Sequence, residues 1–151
     1  MALPTKQVGV AGEHFFAFRA LEEGLDVAFP TGDNSPHDLI ISSASGYFRV
    51  QIKTSNVLVK DATRSDAERY TFTISHSRGP KKQPYDDDDF DVLALIVLPE
   101  RRTYLIPADV GTSVTCIGLT RKADGARTSR YEEYLERWNL FSKNGDNRTL
   151  A

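Results

Sequence analysis

The sequence predicts an α/β-class fold, a mixed α+β sheet flanked by helices, in one domain spanning residues 1–151 with a polar tail from about residue 142. Three observations predict it. A helical apolar pattern opens the chain, a series of β-prone runs bounded by turn formers fills the middle, and a second helical pattern closes it before the tail. A length of 151 residues suits one hydrophobic core. Hydrophobic residues at 40 % and charged residues at 26 % fit a soluble globular protein rather than a disordered or fibrous one. No apolar run approaches the ~20 residues of a membrane span. Met1 to Gln7 shows no basic-then-apolar signal segment. The lone Cys116 excludes an internal disulfide and zinc chelation by paired cysteines, so a reducing cytoplasm is the expected compartment, and without a long apolar run no membrane partner is expected. A net charge of −2 argues against a nucleic-acid coat, and any such contact has to come from local charge.

The first helix runs from Thr5, a suitable N-cap, to Glu23, with Gly24 as its stop. Val8, Ala11, Phe15, Phe18 and Leu21 form its expected apolar stripe, and Glu13 lies close to that stripe. Glu13 can therefore reach over a sheet edge, although a solvated helix glutamate is the plainer reading. Leu25–Phe29 reads as a short strand ended by Pro30, and 31–36 is dense in turn formers. A hairpin follows, with Ser45-Gly46 as its expected loop, so that Asp38 faces Lys53, Leu39 faces Ile52, Ile40 faces Gln51 and Ile41 faces Val50. Leu39, Ile41, Val50 and Ile52 then share one apolar face, and Asp38, Gln51 and Lys53 share the other.

Residues 56–69 read as a polar loop and 70–77 as a half-buried strand. His76 to Pro84 reads as a basic loop broken by Pro and Gly, followed by the acidic turn Asp86–Asp89, which has neither the spacing nor the glycine of an EF-hand and can pair with Arg101 and Arg102. Asp91–Leu98 is apolar enough to be covered on both faces, and Thr103–Ile106 returns as its hairpin mate. Ser113–Leu119 is a weaker strand holding Cys116, read as a packed residue, and 120–129 is a second basic loop. Ser129 with Glu132 suggests a capping box for a closing helix whose stripe is Tyr131, Tyr134, Leu135, Trp138 and Phe141.

A carboxylate, an amide and an ammonium gathered at one end of a hairpin can hold a divalent cation against a phosphate. A Gln-x-Lys tripeptide alone carries little information. It gains weight from the aspartate that opens the preceding strand and from the carboxylate beside Gly12. Gly12-Glu13, Pro36-His37-Asp38 and Gln51-Ile52-Lys53 together resemble the PD-(D/E)xK nuclease superfamily, with His37 inserted in the first motif and Gln51 where Glu or Asp is usual. The Gln resembles the group I intron homing endonuclease branch, as do the runs 32–36, 49–54, 91–94, 104–107, 130–132 and 137–140.

The resemblance implies a PD-(D/E)xK restriction-endonuclease-like core and a Mg²⁺-dependent endonuclease acting on double-stranded DNA, with Mn²⁺ able to substitute. Asp38, the backbone carbonyl of Ile52, Gln51 and Glu13 would hold the metal, and Lys53 would orient water and offset phosphate charge. A free lysine pKa of ~10.4 favours that electrostatic role over a basic one. An amide in place of a carboxylate favours one tightly held metal, because two ions ~3.5–4 Å apart need more negative charge. Phosphate contacts are expected from His76, Arg78, Lys81 and Lys82, with Lys60, Arg64 and Arg69 before them, and from Arg121, Lys122, Arg127 and Arg130. Cutting both strands requires two sites, hence a homodimer or homotetramer, joined through the hairpin 91–107 or the last helix. The alternatives are a Holliday-junction resolvase-like nuclease and a non-catalytic DNA-binding protein that keeps the fold.

Overall fold

A computed structural model of the chain describes residues 2–32, 34–60, 63, 66–78 and 81–142; Asp33, Arg64 and the tail 143–151 lie outside the described residues, as do the side chains of Ser77 and Arg78. Helix α1 spans Thr5–Glu22, with Pro4 rather than Thr5 at its N-cap. Its last turn closes as predicted, with Gly24 at φ +77° and the Leu25 N–H donating to the Ala20 carbonyl at 3.0 Å.

The buried face of α1 is Val8, Gly12, Phe16 and Ala20. Ala11 and Phe15 flank it, whereas Phe18 and Leu21, expected inside, are 57 % and 59 % exposed. Gly12 sets this roll. A Cβ at that position would overlap the Thr54 hydroxyl and lie 2.8 Å from the Thr54 Cβ, so only glycine lets the helix sit this close to the strand beneath it.

That strand belongs to a five-stranded sheet. β1 (Asp26–Ala28), β2 (Leu39–Ser43) and β3 (Gly46–Ser55) pair antiparallel. The register of β2 and β3 differs from the predicted one by two residues: Leu39 faces Val50 and Ser43 faces Gly46, which leaves Ala44 and Ser45 as the loop. Gly46, at φ +125°, ends the turn rather than forming it. A two-residue slip preserves the parity of the pleat, so Leu39, Ile41, Val50 and Ile52 still share the apolar face.

The chain then leaves the sheet and returns much later. β4 (Val59–Lys60) and β5 (Ala67–Thr73) form within the expected loop and strand. β6 (Ser75–Arg78) and β7 (Lys81–Pro84) form a two-stranded ribbon in which His76 faces Gln83 and Ser77 faces Lys82, so the basic segment is a hairpin and not a loop. β8 (Val92–Val97) runs parallel to β3, and β9 (Arg102–Pro107) returns antiparallel beside it. Parallel neighbours need a crossover, ordinarily a helix; here β4 to β7 make it. The short helix α2 (Ala108–Gly111) leads to β10 (Cys116–Lys122), which pairs with β5 to complete a second sheet of order β10-β5-β4. Cys116 opens β10 and is exposed, not packed.

All six residues of β8 are buried, as its unbroken apolar run predicts. Val92, Ala94 and Ile96 face α1. Leu93, Leu95 and Val97 face the second sheet, where Tyr70, Phe72, Ile117 and Leu119 meet them. Full burial of each larger side chain contributes about 1.5–3 kcal/mol.

The expected closing helix does not form. Two 3-10 turns, Glu132–Tyr134 and Trp138–Phe141, replace it. Between them Leu135 bridges to Tyr104 of β9, and Glu136, at φ +50°, donates its N–H to the Thr103 carbonyl at 2.8 Å. Between its two turns the segment covers the edge of β9 instead of continuing as one helix. Trp138 and Phe141 are buried against α1 and the sheet, as the apolar spacing implied. The side chains of β8, and those of β9 after Arg102, are buried, and the closing segment is not a helix. No helix of the described residues is long and apolar enough to cross a membrane.

Gly12→Ala should lower stability by about 1–3 kcal/mol through overpacking. Urea unfolding of Gly12→Ala and of Gly12→Ala with Thr54→Gly checks the cause, since the second change should recover part of the loss.

Candidate active site

The two-residue slip decides the site. It brings Asp38, just before β2, opposite Gln51 rather than Lys53. The Asp38 N–H donates to the Val50 carbonyl at 2.8 Å and so continues the ladder. Its carboxylate turns back onto β3. Asp38 Oδ2 accepts from the Ile52 N–H at 2.7 Å and from Gln51 Nε2 at 2.8 Å. Gln51, only 6 % exposed, also donates from Nε2 to the Ile52 carbonyl at 3.2 Å. The Asp38 carboxylate and the Ile52 carbonyl therefore converge on one point, where the amide N–H groups now stand.

Glu13 arrives from α1. Burial, then the nearby Asp38 charge, raises its carboxyl above the ordinary value. Burial likewise raises Asp38, opposed by the Ile52 N–H and the charges of Lys53 and His37. Burial lowers Lys53, opposed by Asp38 and reinforced by Lys82. Two carboxyl groups and an ammonium are thus held where water solvates them poorly, an arrangement characteristic of functional sites.

These donors suit a hard cation. They are carboxylate, carbonyl and amide oxygens, the set that Mg²⁺ prefers. Turning the Gln51 amide over would replace its N–H groups by Oε1 at the same point, and three oxygens facing one another require a cation between them. Among the described residues no three His, Cys, Asp or Glu side chains cluster, so an ion here would lean on the Ile52 carbonyl, Gln51 and water.

Lys53 Nζ donates to the Ser75 carbonyl at 3.1 Å and stands 5.2 Å from the centroid of the Tyr85 ring. Tyr85 is buried, and burial together with Asp38 and Asp89 pushes its hydroxyl up to about 12. Its ring lies 4.8 Å from His76 and 5.2 Å, edge-on, from Phe90. The basic ribbon thus rises beside the site, with Lys81 and Lys82 exposed.

The second basic patch is elsewhere. Arg121 and Lys122 line a cleft of about 260 Å³ with Lys60, Asp66 and Glu68, at the opposite end of β5 from Ser75. Arg127 is not free for phosphate, because Glu100 holds it in an ion pair. Arg130 lies against the Tyr131 ring. The acidic turn pairs with Arg49, whose Nη1 donates to the Asp88 carbonyl at 2.6 Å and whose Nη2 meets Asp91 at 3.3 Å. Arg101 and Arg102 do not join it: they contact the Leu98 carbonyl and Glu132.

Glu13, Asp38, Gln51 and Lys53, singled out by sequence, therefore come together. Sequence reasoning missed Tyr85, absorbed into the aspartate run that follows it, and Ser75, whose carbonyl leaves no sequence signal; His37, read there only as an insertion in the first motif, has a buried Nδ1 that lacks a hydrogen-bond partner.

The pattern of the family described as PD-(D/E)XK endonuclease matches residues 3–140. The chain belongs to this family. Protein 5.3 of Escherichia phage T7 is 25 % identical over 114 residues, covering 76 % of this chain and 91 % of the phage protein. The structure of I-Ssp6803I, a bacterial homing endonuclease, superposes with a TM-score of 0.80 at 26 % identity, covering 97 % of this PD-(D/E)XK chain and 98 % of that one. Family and fold make the chain a nuclease, with DNA as the substrate class.

Gln51→Glu should place a further carboxylate against Asp38 and the Ile52 carbonyl with no donor between them, costing about 1–3 kcal/mol in EDTA. Thermal melts with and without Mg²⁺ should show a larger metal-induced rise for the variant than for the natural chain.

The carboxyl shift also has a direction. With Asp38 raised above 3.8, the folded chain binds that proton more tightly than the unfolded one, so this group's contribution to stability falls as pH rises through the window above 3.8. The stability of Asp38→Asn relative to the natural chain should therefore rise in EDTA as pH climbs from about 4 toward neutrality. Urea melts of both chains across that range provide the measurement.

Proposed function

We propose that the chain is a divalent-metal-dependent endonuclease that hydrolyses phosphodiester bonds of double-stranded DNA at particular sites. The convergence of the Asp38 carboxylate and the Ile52 carbonyl beside Lys53, in a PD-(D/E)XK chain, carries this reading. The likeness to a homing endonuclease over nearly the whole chain supports a site-specific duplex cutter.

Asp38, the Ile52 carbonyl, Gln51 and Glu13 would hold Mg²⁺, with Mn²⁺ as substitute. When bound, such an ion would supply water activation and charge neutralisation at the phosphate. Asp38 orients the Gln51 amide and the Ile52 backbone, and Glu13 adds negative charge from the helix side. Lys53 presents its ammonium to the phosphate as charge builds there, an electrostatic role that the neighbouring Asp38 charge supports against the effect of burial. The ribbon residues His76, Arg78, Lys81 and Lys82 contact the duplex beside the site, and Arg121 and Lys122 contact it farther along. The described residues of one chain carry one such site, so breaking both strands would take a homodimer or homotetramer.

Supercoiled plasmid and a genomic fragment library, incubated with Mg²⁺, Mn²⁺ or EDTA, should give discrete cuts only with metal. Lys53→Ala should lose about 100-fold or more in rate, and Asp38→Ala should lose cleavage while keeping DNA affinity. Cleavage that survives Lys53→Ala overturns the assignment. Preferential cutting of four-way junctions would show a resolvase-like nuclease, and binding without cleavage a non-catalytic protein.

A further inference from the structure

We propose that the β6–β7 ribbon is a clasp on Lys53, and that Tyr85 is a positioning residue that aims the Lys53 ammonium at the scissile phosphate. The inference rests on the reading of Lys53 given above. The two ends of the ribbon meet at this one side chain. Ser75, the first residue of β6, accepts from Lys53 Nζ at 3.1 Å. Tyr85, the residue after β7 ends at Pro84, lies with its ring centroid 5.2 Å from the same ammonium. Ser75 and Pro84 face each other in the ladder, so both contacts come from the base of one ribbon.

A lysine is a compact charge on a flexible four-carbon stem. Its position on β3 fixes where the stem starts but not where the ammonium ends. The Ser75 carbonyl takes one of its N–H donors, and the negative face of the Tyr85 ring attracts the charge from another side. That leaves donor capacity for a phosphate oxygen. The ring itself has little freedom. It is 7 % exposed and is held between His76, at 4.8 Å, and Phe90, at 5.2 Å. His76 belongs to the ribbon, and so do the exposed Lys81 and Lys82. The body that would grip the duplex is therefore the body that aims the lysine, and a duplex seated on the ribbon is registered to the reacting centre through the same two residues.

The test compares Tyr85→Met, which keeps most of the volume and removes the ring, with Tyr85→Phe, which keeps the ring. Phe72→Leu, in the same buried cluster but away from Lys53, controls for lost stability. Single-turnover plasmid cleavage with Mg²⁺ should slow about tenfold in Tyr85→Met, with DNA affinity unchanged, whereas Tyr85→Phe and Phe72→Leu should cut at the natural rate. Loss of rate in Phe72→Leu equal to that in Tyr85→Met, or an equally slow Tyr85→Phe, overturns the positioning role. So does a Tyr85→Met that cuts normally while Lys53→Ala is inactive. Full activity in Lys53→Ala would instead sink the reading of Lys53, and the aiming role with it. A second measurement needs no catalysis. The Lys53 Hε protons, assigned by their loss in Lys53→Ala, should lie upfield from the Tyr85 ring current, remain so in Tyr85→Phe and move downfield in Tyr85→Met. Hε protons at unperturbed positions in the natural chain would overturn the clasp itself.

Discussion

The contact between Asp38 and the β3 backbone is the interaction on which the rest of the site depends. One carboxylate oxygen receives the Ile52 N–H and the Gln51 amide, and so joins the start of β2 to the middle of β3. A carboxylate this poorly hydrated would be costly without donors. With them it is held in one orientation, beside a carbonyl that points to the same place. Glu13 and Lys53 add opposite charges on either side. Neither carboxyl nor ammonium is in its preferred medium, since burial shifts all three toward their neutral forms. That shared discomfort is what a cation and a phosphate would relieve.

The layers around the sheet explain why the site is both buried and reachable. α1 and the closing segment cover one face, and the sheet of β4, β5 and β10 covers much of the other. Gln51 and Lys53 point toward the second layer. Because the crossover between β3 and β8 is made of strands, it can throw out a ribbon at Ile74 that a crossover helix would not provide. The ribbon meets Lys53 at its base and exposes lysines along β7. The Gly12–Thr54 approach has a matching effect on the helix side: it rolls α1 so that Glu13 comes within electrostatic reach of Asp38.

The chain's charge fits this division. A net charge of −2 leaves no general affinity for nucleic acid. Several of the basic residues are occupied within the protein. Arg19 meets Glu22, Glu23 and Glu136, Arg49 meets Asp91, and Arg127 meets Glu100. The cations left exposed beside the site are those of the ribbon.

Local spacing determined a good deal by itself. Period-two alternation put Asp38, Gln51 and Lys53 on one face and Leu39, Ile41, Val50 and Ile52 on the other. The unbroken apolar run made β8 an interior strand, and Gly24 stopped α1. The resemblance of three short motifs then identified the family. Tertiary structure decided what spacing cannot carry. A register shift of two leaves every face unchanged, so the hydrophobic pattern was blind to it, yet it chose Gln51 over Lys53 as the partner of Asp38. Apolar residues at 131, 134, 135, 138 and 141 are spaced for a helix, but the open edge of β9 offered the backbone of Leu135 and Glu136 better partners. The ribbon, the exposure of Cys116 and the place of Tyr85 under Lys53 all depend on contacts between residues far apart in sequence, which no local pattern records.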